Sequence, residues 1–293
     1  MTLESFAQSL VFGLLVGALY GLAAAGLSLV FGVMKVLNVA HGELLMLGGY
    51  GSFWLFTLYG VDPFVSLLLV GPALFVVGVL LHLGLFNRLT RFDDETKIKN
   101  SLLIGFGLAL VLQNLAIRLW TADERGITTG YAGLVARLGD LSLPMNRLGN
   151  LAVALGVIAA LHLFLTRTYL GKGIRATAED WQAATLVGIN VQRTYLVAFA
   201  LGTALAGIAG TLVTVGYAVS PSIGLDWTLK ALIVVVLAGL GSMFGTFVGG
   251  LLLGVAEATS VLFIGGAYRE AVGLVLFVIV LLARPQGLFG KVR

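Results

Sequence analysis

An all-α bundle of membrane helices is the fold class this sequence predicts, and three observations predict it. Of the 293 residues, 59% are hydrophobic and only 11% charged, with mean hydropathy +1.02. A soluble domain carries about a quarter charged residues. The apolar residues come in runs near the length, about 20 residues, that a helix needs to cross a bilayer. Glycine is abundant, 40 residues against 5 prolines, as expected where small residues let membrane helices approach closely. One domain, residues 1–293, is the simplest division.

Nine apolar segments are read in order: 5–33, 39–59, 63–86, 101–120, 149–166, 194–216, 227–241, 244–264 and 269–283. The first is long for a bilayer core of about 30 Å, which predicts a tilt or a break near Gly21 or Gly26. The segments 227–241 and 269–283 are short. They read as re-entrant or half-helices, which persist at membrane depth only inside protein or along a wet cavity. The first charge is Glu4 and the next Lys35, so no basic leader precedes the first segment and none is expected to be cleaved.

Lys and Arg set the expected orientation. Arg88, Arg91, Lys97 and Lys99 fall in loop 87–100, and Arg167, Lys172, Arg175 and Arg193 at 167–193. Arg284, Lys291 and Arg293 fall in the tail. These mark the cytoplasmic side. Loop 121–148 balances Arg125, Arg137 and Arg147 against Asp123, Glu124 and Asp140, and loop 217–226 holds only Asp226. Both face outward in this register, with a periplasmic N-terminus and a cytoplasmic C-terminus.

Small residues recur every four positions at Gly13, Gly17, Gly21, at Gly202, Ala206, Gly210 and at Gly241, Gly245, Gly249. Each stripe suits close helix contact, within the chain or between subunits.

Several chemistries are excluded. There is no cysteine, hence no disulfide and no thiolate. A formal net charge of +4 gives no sign of nucleic-acid binding. No GxxxxGK[ST] phosphate loop occurs; the nearest piece is LGKG at 170–173. No GxSxG elbow occurs. The three histidines lack metal-ligand spacing; His82 and His162 each fall late in a segment and read as interface residues.

The stretch 167–193, RTYLGKGIRATAEDWQAATLVGINVQR, is the most informative polar region. Residues 174–187 are rich in alanine and free of Gly and Pro, which predicts one helix, preceded by Gly173 and ended by Gly188. Ile174, Ala178, Trp181 and Thr185 share a face, with Arg175 and Glu179 an i,i+4 pair beside it. Such a helix either packs under the bundle or docks a cytoplasmic partner.

Here a resemblance becomes specific. GKGIRATAEDWQAATLVGIN (171–190) is similar to the cytoplasmic loop of the LivH-type permeases of branched-chain amino acid importers of the ATP-binding cassette class. GLSLVFGVMKVLNVAHGELLMLGGY (26–50), KALIVVVLAGLGSMFGTFVGGLLLGVAEA (230–258) and ARPQGLFG (283–290) resemble further blocks of that family, in order along nearly the whole chain. Loop 121–148 is the part least like it. The resemblance implies a bundle with several broken helices in the bacterial inner membrane. It also implies a LivM-like second permease, two ATP-binding subunits and a periplasmic binding protein as partners. ATP is then bound by the partner subunits, and this chain holds no cofactor. Arg175, Glu179, Asp180 and Gly188 fall on the implied coupling helix, at about 173–188, which sits in a groove of an ATPase subunit.

Ionisable residues at membrane depth are costly and face the bundle interior or a wet cavity. Glu257 lies inside 244–264, and Glu43 a turn into the second segment with His41 two residues earlier; Gln113 and Asn114 are polar within the fourth. Asn38 is placed to cap the second helix, where the helix dipole favours Glu43. Alternatively, Asn38, His41 and Glu43 line a translocation route or its gate. His41 and Glu43 stand about 200° apart on an ideal helix, so only one of them faces a narrow pore. Glu43 is expected to face inward and His41 to occupy the first turn.

The leading reading is an importer permease for branched-chain or related amino acids, without enzymatic activity of its own. Urea or a short amide as cargo remains open beside it, since no residue separates the two. A proton-driven carrier with Glu43, His41 and Glu257 as relay, or a passive channel, would take up cargo without ATPase subunits.

Overall fold

A computed structural model describes residues 3–139 and 141–290. Asp140, Lys291 and Arg293, counted above for orientation, lie outside the described residues.

The described residues form eleven α-helices and one β-hairpin. The helices are α1 (Leu3–Met34), α2 (His41–Tyr59), α3 (Pro63–Gly84), α4 (Asp94–Trp120), α5 (Met145–Arg167), α6 (Tyr169–Glu179), α7 (Trp181–Leu186), α8 (Val191–Thr214), α9 (Ile223–Ala238), α10 (Met243–Ile264) and α11 (Arg269–Ala283). Each of the nine apolar segments corresponds to one long helix. Seven helical stretches are long and apolar enough to cross a membrane. α2 and α9 are the long helices outside that set: α2 carries His41, Glu43 and Ser52, and α9 has 16 residues.

α1 and α8 form the buried centre. They cross where Gly26 meets Gly202, each backbone filling the space a side chain would need. α10 runs antiparallel along α1, with Gly13 and Gly17 against Gly250 and Gly254. α2 crosses α8 through Gly48 on Gly207 and Leu45 on Gly210. The predicted small-residue stripes are therefore contacts within the chain. One stripe differs from expectation: Gly241 lies in the turn between α9 and α10, against Gly32, and α10 meets α1 through Gly250 and Gly254.

Loop contacts sort the bundle into two ends. At one, Gln192 Nε2 donates to Thr90 Oγ1 at 3.1 Å, Lys97 Nζ lies 5.9 Å from the Trp181 ring centre, and the tail bonds the end of α9. This end carries Lys35, Arg88, Lys97, Lys99, Lys172, Arg175, Arg193 and Arg284 and is here called the basic end. At the other, Gln8 bonds both Ser142 backbone groups at 2.7 and 2.8 Å, Arg125 and Val219 exchange backbone bonds at 2.9 and 2.8 Å, and Tyr131 Oη donates to Asp62 Oδ2 at 2.8 Å. Burial first, and then that bond to Asp62, push the Tyr131 hydroxyl up to about 12.

Some expectations need correction. α1 is one unbroken helix through Gly21 and Gly26, because both glycines sit in tight contacts with neighbouring helices that hold it regular. Loop 121–148 contains strands β1 (Val135–Leu138) and β2 (Leu141–Pro144), paired antiparallel with Leu138 opposite Leu141. Their alternation is too short to stand out in the sequence. His82, in the last turn of α3 at the basic end, is 1% exposed and packs on Phe199 at 5.8 Å, so it is buried in the chain and not set against lipid. His162 is exposed.

The single helix expected at 174–187 is two. Asp180 adopts an extended conformation (φ −154°, ψ 105°) and its Oδ1 accepts from Gln182 and Ala183 N–H at 2.8 and 3.0 Å. It ends α6 and caps α7, which is what a short acceptor side chain does best. α6 also begins earlier than Gly173, at Tyr169, capped by Thr168 Oγ1 to Gly171 N–H at 3.0 Å. Gly188 ends α7 as expected, at φ +85°, with its N–H to Thr185 O and Ile189 N–H to Ala184 O, both 3.0 Å.

Candidate translocation gate and coupling surface

The stretch 35–40 turns back from the basic end into the bundle, so that α2 starts well inside it. His41 Nε2 lies 2.8 Å from Ala23 O. A carbonyl only accepts, so Nε2 carries the proton. Ala23 precedes the end of α1 by about three turns, or about 16 Å; that is about half a bilayer core. Two helices, α4 and α9, hold the returning stretch. Ser101 Oγ of α4 accepts from Leu37 N–H at 3.0 Å, Gly105 makes room for Val39, and Thr228 of α9 reaches Val39 O at 3.1 Å.

Asn38 does not cap α2 directly. Its Oδ1 accepts from Ala40 N–H at 3.1 Å and its carbonyl from His41 N–H at 3.2 Å, which shapes the turn before the helix. Ala40 precedes α2 and has no side-chain cap to give. Thr228 Oγ1 supplies it from another helix, accepting from Gly42 N–H at 2.8 Å. Sequence reasoning missed this residue because its partners, Val39 and Gly42, are 189 and 186 residues away along the chain.

Both ionisable side chains of the first turn of α2 are buried, His41 at 2% and Glu43 at 3% exposure, and they face apart as the helix geometry requires. His41 fits the notch left by Gly26 on α1. Glu43 lies against Gly224, in the first turn of α9. A side chain on Gly224 would overlap its carboxyl group, and one on Gly42 would overlap Gly224 O. Among the described residues, Glu43 Oε2 has no hydrogen-bond partner. α2 and α9 thus begin at one depth, backbone to backbone, with a carboxylate sealed between them.

Glu257 belongs to a separate cluster on the other side of α9. It accepts from Tyr20 Oη at 2.8 Å and Arg269 Nε at 3.0 Å, and Lys230 Nζ lies 3.4 Å away. Lys230 also pairs with Glu270 at 3.3 Å, and Trp227 packs edge-on to Tyr20 at 5.6 Å. Lys230, Arg269 and Tyr20 are the members the sequence reading missed. The signal was present, since a lone lysine inside an apolar segment needs a partner. Gln113 and Asn114 lie apart from both clusters on α4. Asn114 is exposed and Nδ2 donates to its own helix at Leu110 O, 2.7 Å.

At the basic end, α6 and α7 present Tyr169 (81% exposed), Leu186 (87%) and Val187 (77%) beside half-exposed Trp181. Arg175, Glu179 and Asp180 are exposed next to them. Arg175 and Glu179 also line a crevice of about 820 Å³ between α1, α5, α6 and α10, floored by Ser28 and Gly32. Exposed apolar side chains of this kind mark a contact with protein or membrane.

A mostly helical chain with several membrane-length helices, buried polar side chains where α2 meets α9 and exposed apolar side chains at one end has the make-up of a membrane subunit. Residues 9–283 match the family described as branched-chain amino acid transport system / permease component, and the chain belongs to that family. It is 33% identical to the high-affinity branched-chain amino acid transport system permease protein BraD of Pseudomonas aeruginosa, over 98% of this chain and 96% of that protein. It is 31% identical to LivH of Salmonella typhimurium over the same shares, and 28% to LivM of Escherichia coli, over 94% of this chain and 68% of that one. In fold it is similar to PsaBC from Streptococcus pneumoniae in complex with Fab, with TM-score 0.50 at 13% identity, covering 95% of this chain and 92% of that chain. The chain is thus a permease subunit of the branched-chain amino acid class of ATP-binding cassette importers.

Proposed function

We propose that this chain carries branched-chain amino acids inward across a bacterial inner membrane, paired with a LivM-like permease, driven by two ATP-binding subunits and fed by a periplasmic binding protein. The observation that carries the cargo and pairing is its similarity to both LivH and LivM along most of its length. The basic end is the cytoplasmic end, in keeping with the positive-inside rule. All nine long helices lie within the membrane, with α2 and α9 starting inside it as half-helices. Such starts are tolerated where they are buried in protein or line a cavity.

The junction of α2 and α9 is the gate. Asn38 shapes the turn before it, His41 anchors α2 to α1, and Glu43 fills the seam. Glu257 sets the position of α9 through Lys230. Parting α2 from α9 breaks the Thr228 bonds to Val39 and Gly42 and exposes Glu43, a group that suits a zwitterion passing between apolar walls. Arg175, Glu179, Asp180 and Gly188 form the coupling region, which docks on an ATPase subunit through α6 and α7.

The test is reconstitution of the importer with wild-type or altered coupling residues. Glu179→Ala and Asp180→Ala are expected to leave ATP hydrolysis running while amino acid uptake falls. Uptake at the wild-type rate in both variants would reject the coupling assignment, and uptake of urea in place of leucine would reject the cargo.

A further inference from the structure

We propose that the N-terminus of α9 is the carboxylate subsite for an α-amino acid cargo, and that Glu43 occupies it as an internal stand-in until the cargo displaces it. This rests on the amino acid reading above.

The first N–H groups of any helix lack partners within it and the dipole there favours an anion. α9 starts without a capping side chain, since Ser222 makes no cap bond. The anion that stands there is Glu43, whose carboxyl group lies against Gly224. It is 97% buried by its 3% exposure, yet Oε2 is unpartnered. A carboxylate kept at membrane depth only to cap a helix would have both oxygens satisfied, because an unpaired buried charge is costly. Glu43 instead lies against the first turn of α9 with no hydrogen bond to it among the described residues, and a buried carboxyl group so placed marks a position held for something else.

The cargo's own chemistry fits. An α-amino acid carries a carboxylate for the N–H groups of α9 and an ammonium for the displaced Glu43. Exchange therefore keeps the helix terminus occupied and gives Glu43 the partner it lacks. Gly224 is needed because any side chain there would fill the subsite. Access comes from the exposed flank of the same turn, where Leu225 is 53% exposed and Asp226 is exposed beside it. Thr228, in the next turn, bonds Gly42 and so ties the subsite to the start of α2. Filling the subsite and parting the two helices become one event.

The test uses the complete importer with leucine, trapped by a non-hydrolysable ATP analogue and solved by electron cryomicroscopy. The expected density places the leucine carboxylate about 3 Å from the N–H groups at the start of α9, with the ammonium against Glu43. Leucine bound elsewhere along the route overturns the proposal. In uptake assays Glu43→Gln is expected to lose at least tenfold, and Glu43→Asp to recover part of that loss. Full uptake by an assembled Glu43→Gln importer also overturns it. If Glu43→Gln does not assemble, the trapped wild-type structure decides. Failure of the wild type to take up leucine rejects instead the amino acid reading beneath it.

Discussion

Glu257 shows how a single residue can be legible in position and illegible in role. A carboxylate inside an apolar run stands out in the sequence, as do Glu43 and His41. Its partners do not: Tyr20, Lys230 and Arg269 come from three other helices, and only folding brings them together. With Glu257 2% and Arg269 26% exposed at the side chain, removal of the carboxylate leaves Arg269 without an acidic partner and Lys230 with Glu270 alone. Glu257→Ala should cost about 3 kcal/mol, and Tyr20→Phe about 2 kcal/mol through the two lost hydrogen bonds, to Glu257 and from Arg269. Thermal unfolding in detergent measures both. Because the groups form one network, Glu257→Ala with Arg269→Ala should cost less than the sum of the single changes; strict additivity would show that the ion pair contributes nothing. Asp180 is the second residue whose role emerged only in three dimensions, since an acid in an alanine-rich run reads as helix interior. Asp180→Asn keeps the cap and removes the charge, whereas Asp180→Ala loses about 1 kcal/mol of helix capping. Uptake by the Asn variant near the wild-type level would assign Asp180 to the cap; a loss equal to that of Ala would assign it to the charge.

Among the elements, long periodic helices were readable and short or returning pieces were not. The apolar runs located α3, α5, α8 and α10 to within a few residues because nothing interrupts them. The start of α2 was legible to within two residues (39 against His41) and that of α9 to within four (227 against Ile223), but not that the two starts meet through Thr228 and Gly224. The tail is a further example. Leu288 and Phe289 donate to Leu237 O and Ala238 O, both at 2.9 Å, satisfying the last carbonyls of α9. Gly287, at φ +79°, packs against Gly239 where a side chain would overlap backbone. The tail therefore fixes the far end of the helix that carries Gly224 and Thr228. Gly287→Ala should lower the melting temperature, and uptake more than assembly; a variant that melts and transports like wild type would free the tail from this role. The α1–α10 contact is less forgiving. Gly17→Leu opposes backbone at Gly250 and should prevent recovery of folded protein in a size-exclusion assay.

For the molecule as a whole, the order of helices, the basic end and the family were legible together because each rests on many residues at once. The junction of α2 and α9 was half legible: the sequence pointed to Asn38, His41 and Glu43, while the helix they meet was hidden by distance along the chain. The orientation is open to direct measurement, as the chain has no cysteine. Lys172→Cys should react with an impermeant maleimide only from the cytoplasmic face, and Asp123→Cys only from the periplasmic face. The most direct test of the central claim is leucine uptake into proteoliposomes holding this chain, its partner permease, the ATP-binding subunits and the binding protein. Uptake that requires ATP and the ATPase subunits, and persists when the proton gradient is collapsed, is the predicted result. Uptake by the permease chains alone, or uptake abolished with the proton gradient, would contradict it.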